Sequence, residues 1–179
     1  MRKDDTCIME QTPLMGRTLE KELFIKASPQ RVFQALTTKE DLERWFLVQA
    51  EVDLRPGGAI RFEWGPGMVE VGKILVCEPP HRLSYSWEAF EAGPTTVTFE
   101  LTGENDGTRL RLTHTGIGEG EDWDRYYTSV KSGWSAHLND LAAWLETGIC
   151  NPQDPGVSNQ WHVGSGGTAR LWHGLYVSV

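Results

Sequence analysis

Cysteine is scarce and unpaired in pattern: Cys7, Cys77 and Cys150 form neither a disulfide framework nor a C-x-x-C knuckle, which fits a reducing, cytoplasmic setting. No run approaches the ~20 apolar residues that span a bilayer. The opening MRKDDTCIMEQTPLMG places charges where a signal peptide needs an unbroken apolar core. Neither membrane insertion nor secretion is expected. Basic residues are outnumbered, 17 Lys and Arg against 25 Asp and Glu, for a formal charge of -8. Without a Lys/Arg cluster the chain lacks the electrostatic footprint for nucleic acid or anionic lipid.

Catalytic signatures are also missing. There is no G-x-S-x-G elbow, P-loop or H-E-x-x-H, so hydrolase, nucleotide and zinc chemistries lose their usual carriers. Gly116-Ile117-Gly118-Glu119-Gly120 has G-x-G-x-G spacing instead of G-x-G-x-x-G. Its neighbours Glu121, Asp122 and Asp124 would repel a phosphate at the helix end that ought to attract one. The five histidines are scattered, so neither a metal site nor a cofactor is expected.

What the sequence has is tryptophan, 8 in 179 residues. At this length one domain with a substantial core is expected, and rings this large are costly to expose. Residues 18–26 alternate as a half-buried strand, with Leu19, Leu23 and Ile25 on one parity and Glu20 and Glu22 on the other. Ser28-Pro29 starts a short helix through Val32, Phe33 and Leu36. Thr38 and Asp41, in a relative of the capping box, open a second helix edged by Leu42, Trp45 and Phe46.

From 49 to 114, alternating segments are divided by turn sequences such as Arg55-Pro56-Gly57-Gly58 and Asn105-Asp106-Gly107. The connections are too short for crossovers, so the strands form an antiparallel meander with one aromatic and one polar face. Residues 68–77 are ambiguous: Val69, Val71 and Leu75 compete with Ile74 and Val76, and Gly72 can mark a bulge. Residues 121–147 carry Trp123, Tyr127, Val130, Trp134, His137, Leu141 and Trp144 at steps of three and four, a long amphipathic helix closed by Gly148. Such a helix needs a long apolar surface to cover, and the aromatic face of the sheet is the one available. The result is an α+β fold, a strongly curved sheet wrapped around the C-terminal helix.

The chain therefore divides into an N-terminal extension (1–17), a domain (18–148) and a Gly/Trp-rich tail (149–179). The tail holds two Trp-His snippets, at Trp161-His162 and Trp172-His173. It is expected to dock loosely or on a second subunit, which leaves monomer and homodimer both open.

Several segments, in this order and spacing, resemble the homologues of the activator of the heat-shock-protein-90 ATPase, in the START-like SRPBCC superfamily. They are Ser28 to Thr37, Trp45-Phe46, Asp53 to Gly58, Gly72 to Trp87, Gly107 to Gly116 and Gly133-Trp134. The resemblance covers roughly residues 18–147. It implies a helix-grip fold in which a seven-stranded sheet grips the last helix over a cavity, with two short helices after the first strand. Members of the superfamily include cochaperone domains, carriers of lipids and other apolar molecules, aromatic polyketide cyclases and stress-response proteins.

The candidate ligand-binding residues are Phe62, Trp64, Tyr85, Trp87, Phe99 and His114 from the sheet. Trp123, Tyr127, Trp134 and His137 join them from the helix. Together they describe either an apolar pocket with a few polar handles or rings that fill the space as core. His114 and His137 are either handles for a ligand or satisfied core histidines, and no third group is visible to make either a general base, so no catalytic residue is assigned. Glu63 falls on the outward parity. The favoured reading is a binding module for a small apolar or aromatic molecule; the rivals are a cyclase- or isomerase-like cavity enzyme and a chaperone-interacting stress-response protein.

Overall fold

The structure is a computed structural model that describes residues 16–65, 68–88, 94–149, 170–172 and 175–177. Its main body is a seven-stranded antiparallel sheet. The strands are β1 (Arg17–Ile25), β2 (Gln49–Val52), β3 (Ala59–Gly65), β4 (Met68–Glu78), β5 (Arg82–Glu88), β6 (Pro94–Glu104) and β7 (Gly107–Ile117). They are ordered β1-β7-β6-β5-β4-β3-β2. The chain thus makes a meander from β2 to β7, and β1 closes onto its last strand. Helices α1 (Pro29–Thr37) and α2 (Lys39–Trp45) fill the connection between β1 and β2, and α3 (Glu121–Thr147) follows β7. A separate two-stranded ladder pairs β8 (Arg170–Trp172) with β9 (Leu175–Val177). The first Trp-His snippet and residues 150–169 lie outside the described residues.

Local chemistry explains most boundaries. Ser28 Oγ accepts from the Arg31 N–H, and Pro29 occupies the first helical position of α1. At α2 the expected capping bond is replaced: Thr38 makes no side-chain cap and instead bonds its hydroxyl to the Asp41 carboxylate at 3.0 Å. Helix α3 carries Glu121, Asp122 and Asp124 in its first turn and ends at Gly148 with φ 69°, a left-handed stop suited to glycine. At Gly72 a Cβ would lie 2.1 Å from the Ser86 carbonyl oxygen, so the strand pair tolerates no side chain there.

The ambiguous stretch resolves in favour of Ile74. Glu70 and Ile74 are buried, Val69, Val71 and Leu75 are exposed, and the ladder with β5 shifts register between Ile74 and Val76. The bulge lets the strand bend around the core. The concave face buries Ile60, Phe62, Tyr85, Trp87, Val97 and Phe99 against Tyr126, Val130, Trp134, Leu138 and Leu141 of α3. Each such side chain contributes about 1.5–3 kcal/mol by leaving water. The convex face is polar, with Arg109 held by Glu104 and Glu22 and Arg111 by Glu20 across β6, β7 and β1.

Candidate functional site

The ten candidate residues do not all reach one place. Phe62, Tyr85, Trp87, Phe99, His114 and Trp134 are buried together on the concave side. Trp64 and His137 are half-buried at its edge. Trp123 is also half-buried, its indole laid against Gly118 so closely that a Cβ there would fall 2.4 Å from Nε1. Tyr127 lies on the flank toward β1, with the Arg17 guanidinium 5.1 Å above its ring. The neighbouring Tyr126 takes the inward position instead, 2% exposed. Counting back from Trp134 in steps of four reaches Val130 and Tyr126, so the signal was in the sequence beside the stripe that runs through Tyr127.

Phe46, one residue past α2, is the hub of the ring cluster. Its centroid is 4.5 Å from Trp64, 4.9 Å from His137, 5.8 Å from Trp134 and 5.9 Å from Phe62. Trp87 and Trp134 are 5.5 Å apart, and Phe99 meets Trp134 edge to face at 5.9 Å. Pairs at these separations add about 0.5–1.5 kcal/mol beyond area burial. The middle of the interior is therefore ring against ring. Among the described residues, packing is looser at the Gly133 edge. A Cβ on Gly133 would meet one atom within 4 Å, His137 Cδ2 at 4.0 Å.

The two flanks of α3 differ. Toward β1 it is latched by Arg17 to Asp124 at 2.6 Å, Lys21 Nζ to Ser135 Oγ at 2.7 Å and the Lys26 N–H to Glu146 at 3.0 Å. Toward α2 the bond from Trp144 Nε1 to Asp41 Oδ1, 2.9 Å, ties down its C-terminal end. Asp41 also receives Arg31 in two bonds of 2.9 and 2.7 Å. Burial opposes its ionisation, but the bonds from Arg31, Trp144 and Thr38 outweigh it and hold the carboxyl below its ordinary range. Gly133 and His137 are on this second flank, facing Trp64 across the edge. Burial among rings lowers the His137 pKa to about 4, so the imidazole is neutral near pH 7.

His114 is wholly enclosed, 0% exposed. Its Nδ1 accepts from Trp134 Nε1 at 3.2 Å, and an indole nitrogen can only donate. The proton is therefore on Nε2, which donates to Thr95 Oγ1 at 2.6 Å. Thr95 spends its own proton on the Trp87 carbonyl at 2.9 Å. The chain Trp134–His114–Thr95–Trp87 has one consistent direction and holds a neutral imidazole with both nitrogens engaged. This is the arrangement of a structural histidine, and it leaves no lone pair for a general base.

Two polar groups on the concave side went unremarked in the sequence reading, one on a residue it missed and one on a residue it chose for its ring. Glu70, 4% exposed, is on the inward parity of β4 opposite Phe62 of β3. Burial, and after it the Glu70 charge, raises the pKa of the Tyr85 hydroxyl far above its ordinary value. Tyr126 is raised by burial too; a bond to Thr95 partly offsets this, and Glu70 adds to it. The second group is Trp87 Nε1, which is buried with no hydrogen-bond partner among the described residues. Among the described residues no cluster of three His, Cys, Asp or Glu is placed to hold a metal, and no helix is long and apolar enough to cross a membrane.

A curved seven-stranded antiparallel sheet, closed by a long C-terminal helix over a ring-lined concave face, defines a helix-grip protein of the START-like class. Within it, the family described as "Activator of Hsp90 ATPase homolog 1-like protein" matches residues 26–146, and the chain belongs to that family. Among solved structures it is similar to protein MLL2253 from Mesorhizobium loti, with 28% identity over 72% of this chain and 96% of that one and a TM-score of 0.65. CalU16 from Micromonospora echinospora matches with 26% identity, 83% and 77% coverage and a TM-score of 0.67. PFC0360w, an HSP90 activator from Plasmodium falciparum, matches with 26% identity, 70% and 94% coverage and a TM-score of 0.61. No curated protein sequence matches the chain.

Proposed function

We propose that this protein binds a small, predominantly apolar and aromatic molecule at the concave face, entering beside Gly133 between α3 and the end of β3. The observation that carries the reading is the asymmetry of α3: one flank is latched to β1, whereas Gly133, His137 and Trp64 form a half-open, ring-lined edge next to the cluster around Phe46. Small-molecule sites have this composition, apolar and aromatic walls with a few polar groups. The bonding of His114 on both nitrogens speaks against that residue as the base of a cyclase- or isomerase-like enzyme, which leaves His137 to carry that alternative.

Prodan, a neutral naphthalene ketone whose fluorescence reports its surroundings, is a suitable probe. It is expected to bind saturably at one site and to quench tryptophan emission. Gly133→Leu is expected to weaken it several-fold with the fold intact, since the side chain enters open space and removing a mid-helix glycine gains up to about 1 kcal/mol. Non-saturable partition, or binding indifferent to Gly133→Leu, would refute the site.

The family description and the likeness to an HSP90 activator favour a second reading, interaction with a chaperone through the outer surface. A chaperone captured equally by the wild type and by Gly133→Leu would support it independently of the interior.

A further inference from the structure

Resting on the ligand-binding reading above, we infer that the bound molecule carries a carbonyl conjugated to its aromatic ring system, and that the indole N–H of Trp87 is the donor that recognises it. The observation behind this is a buried donor left over. Trp87 is 6% exposed, and its Nε1–H has no hydrogen-bond partner among the described residues. An indole nitrogen can only donate, and buried donors are almost always bonded because an unmet one keeps its full desolvation cost. Other indoles of the same core follow that rule. Trp45 Nε1 donates to the Ala35 carbonyl at 2.9 Å, Trp134 Nε1 to His114 Nδ1 at 3.2 Å and Trp144 Nε1 to Asp41 Oδ1 at 2.9 Å.

The position of the ring decides what can complete the bond. Trp87 is 6.2 Å from Trp64, which is in turn 5.2 Å from His137 at the Gly133 edge, so the indole is one ring in from the proposed entrance. Nearby acceptors are committed elsewhere. The Trp87 carbonyl accepts from Thr95 Oγ1 at 2.9 Å, and both nitrogens of His114, whose ring is 6.3 Å from the indole, are bonded. With Phe46 and Trp134 among its other neighbours, at 6.5 and 5.5 Å, the donor is set among rings that favour a flat apolar body. A carbonyl conjugated to such a body lies in its plane, offers a lone pair there and costs far less to desolvate than a carboxylate. Aryl ketones, quinones and aromatic lactones meet these terms.

Two probes of one outline isolate the bond: 2-acetylnaphthalene and 2-isopropenylnaphthalene, which differ by a carbonyl oxygen against a methylene carbon. Each is titrated by displacement of Prodan from the wild type and from Trp87→Phe, with Prodan's own affinity measured for each protein. The ratio of the two affinities, compared between the proteins, cancels the hydration of the probes and whatever both lose alike to the smaller ring. The preference for the ketone should fall about tenfold in Trp87→Phe. An unchanged ratio in a variant with the wild-type circular dichroism spectrum overturns the inference. A second measurement needs no variant: the Trp87 indole proton of the wild type should move further downfield with the ketone than with the isopropenyl compound, and equal shifts overturn the inference as well. Failure of Prodan and both compounds to bind overturns the ligand-binding reading itself, an outcome distinct from binding that ignores Trp87.

Discussion

Replacing His114 by Phe separates a structural histidine from a catalytic one. The ring is fully buried, and the substitution keeps an aromatic of similar breadth while deleting the bonds to Trp134 and Thr95 and a longer contact, 3.4 Å, with the Tyr126 hydroxyl. Trp134 Nε1 loses its acceptor inside the core, which costs about 1–3 kcal/mol for one orphaned donor. Thr95 loses the bond from Nε2 but keeps the Trp87 carbonyl, a smaller loss of about 0.5–1.5 kcal/mol. The sum is about 1.5–4.5 kcal/mol, whose middle value for a chain of this size lowers the melting temperature by roughly 10 °C. Urea unfolding followed by tryptophan emission should show the midpoint falling with the slope unchanged. Nitrogen NMR of the wild-type imidazole should place the proton on Nε2 near neutral pH. A loss below about 1 kcal/mol, or a proton on Nδ1, would refute the derived bond direction and reopen a catalytic role, because groups held for catalysis are commonly neutral or unfavourable for stability.

Two further outcomes follow from the charged and titratable groups near α3. Asp41→Asn should cost about 1.5–3 kcal/mol by weakening the bonds to Arg31 and Trp144. Because the native carboxyl has a depressed pKa, its stabilisation is present above the unfolded value near ~3.9 and is lost as pH falls through the native one, so urea midpoints of wild type and variant should converge in acid. His137 has a native pKa of about 4 against ~6.5 unfolded, so its contribution is complete above the unfolded value and declines as pH falls from there toward 4. The slope is at most about 1.4 kcal/mol per pH unit, less for a half-buried ring, and His137→Phe should flatten the stability profile in that window; an unchanged profile would contradict the burial argument.

The fold was legible because its signals are periodic and redundant. Alternation in β3, β5, β6 and β7 and the apolar stripe of 121–147 each demand a partner surface, and each is the other's. Positions decided by a single register choice were harder to read. In β4, Val69 and Val71 look as apolar as Ile74, and only the bulge after Ile74 and the glycine pressed against Ser86 determine which parity turns inward. That choice places Glu70 in the core, against the rule that carboxylates face water, so no pattern of hydrophobicity would have found it. Phe46 was read as a helix edge because its ring partners come from β3, β5 and α3, distances that periodicity does not encode. Tyr126 and Tyr127 differ by one residue on a helix broad enough for either to face the sheet, and Arg17 settles the matter by covering Tyr127.

On the proposed ligand-binding reading, the same contacts make stability and access separable in this fold. Latching α3 to β1 along its length fixes the helix without occupying the opposite edge, and Asp41 of α2 anchors the far end through Trp144 while also bonded by Arg31 of α1 and Thr38. His114 then ties α3 to β7 and β6 from beneath, through Trp134 and Thr95. With the helix held on one side, at one end and from below, the segment around Gly133 needs no further contact for the fold to stand. A mid-helix glycine there costs about 1 kcal/mol relative to alanine, and no packing constraint among the described residues requires it, since a Cβ would meet none of them closer than 4.0 Å. On the proposed ligand-binding reading, a residue that weakens its helix where the packing does not ask for it serves access to the rings beside His137, and Gly133→Leu tests that role.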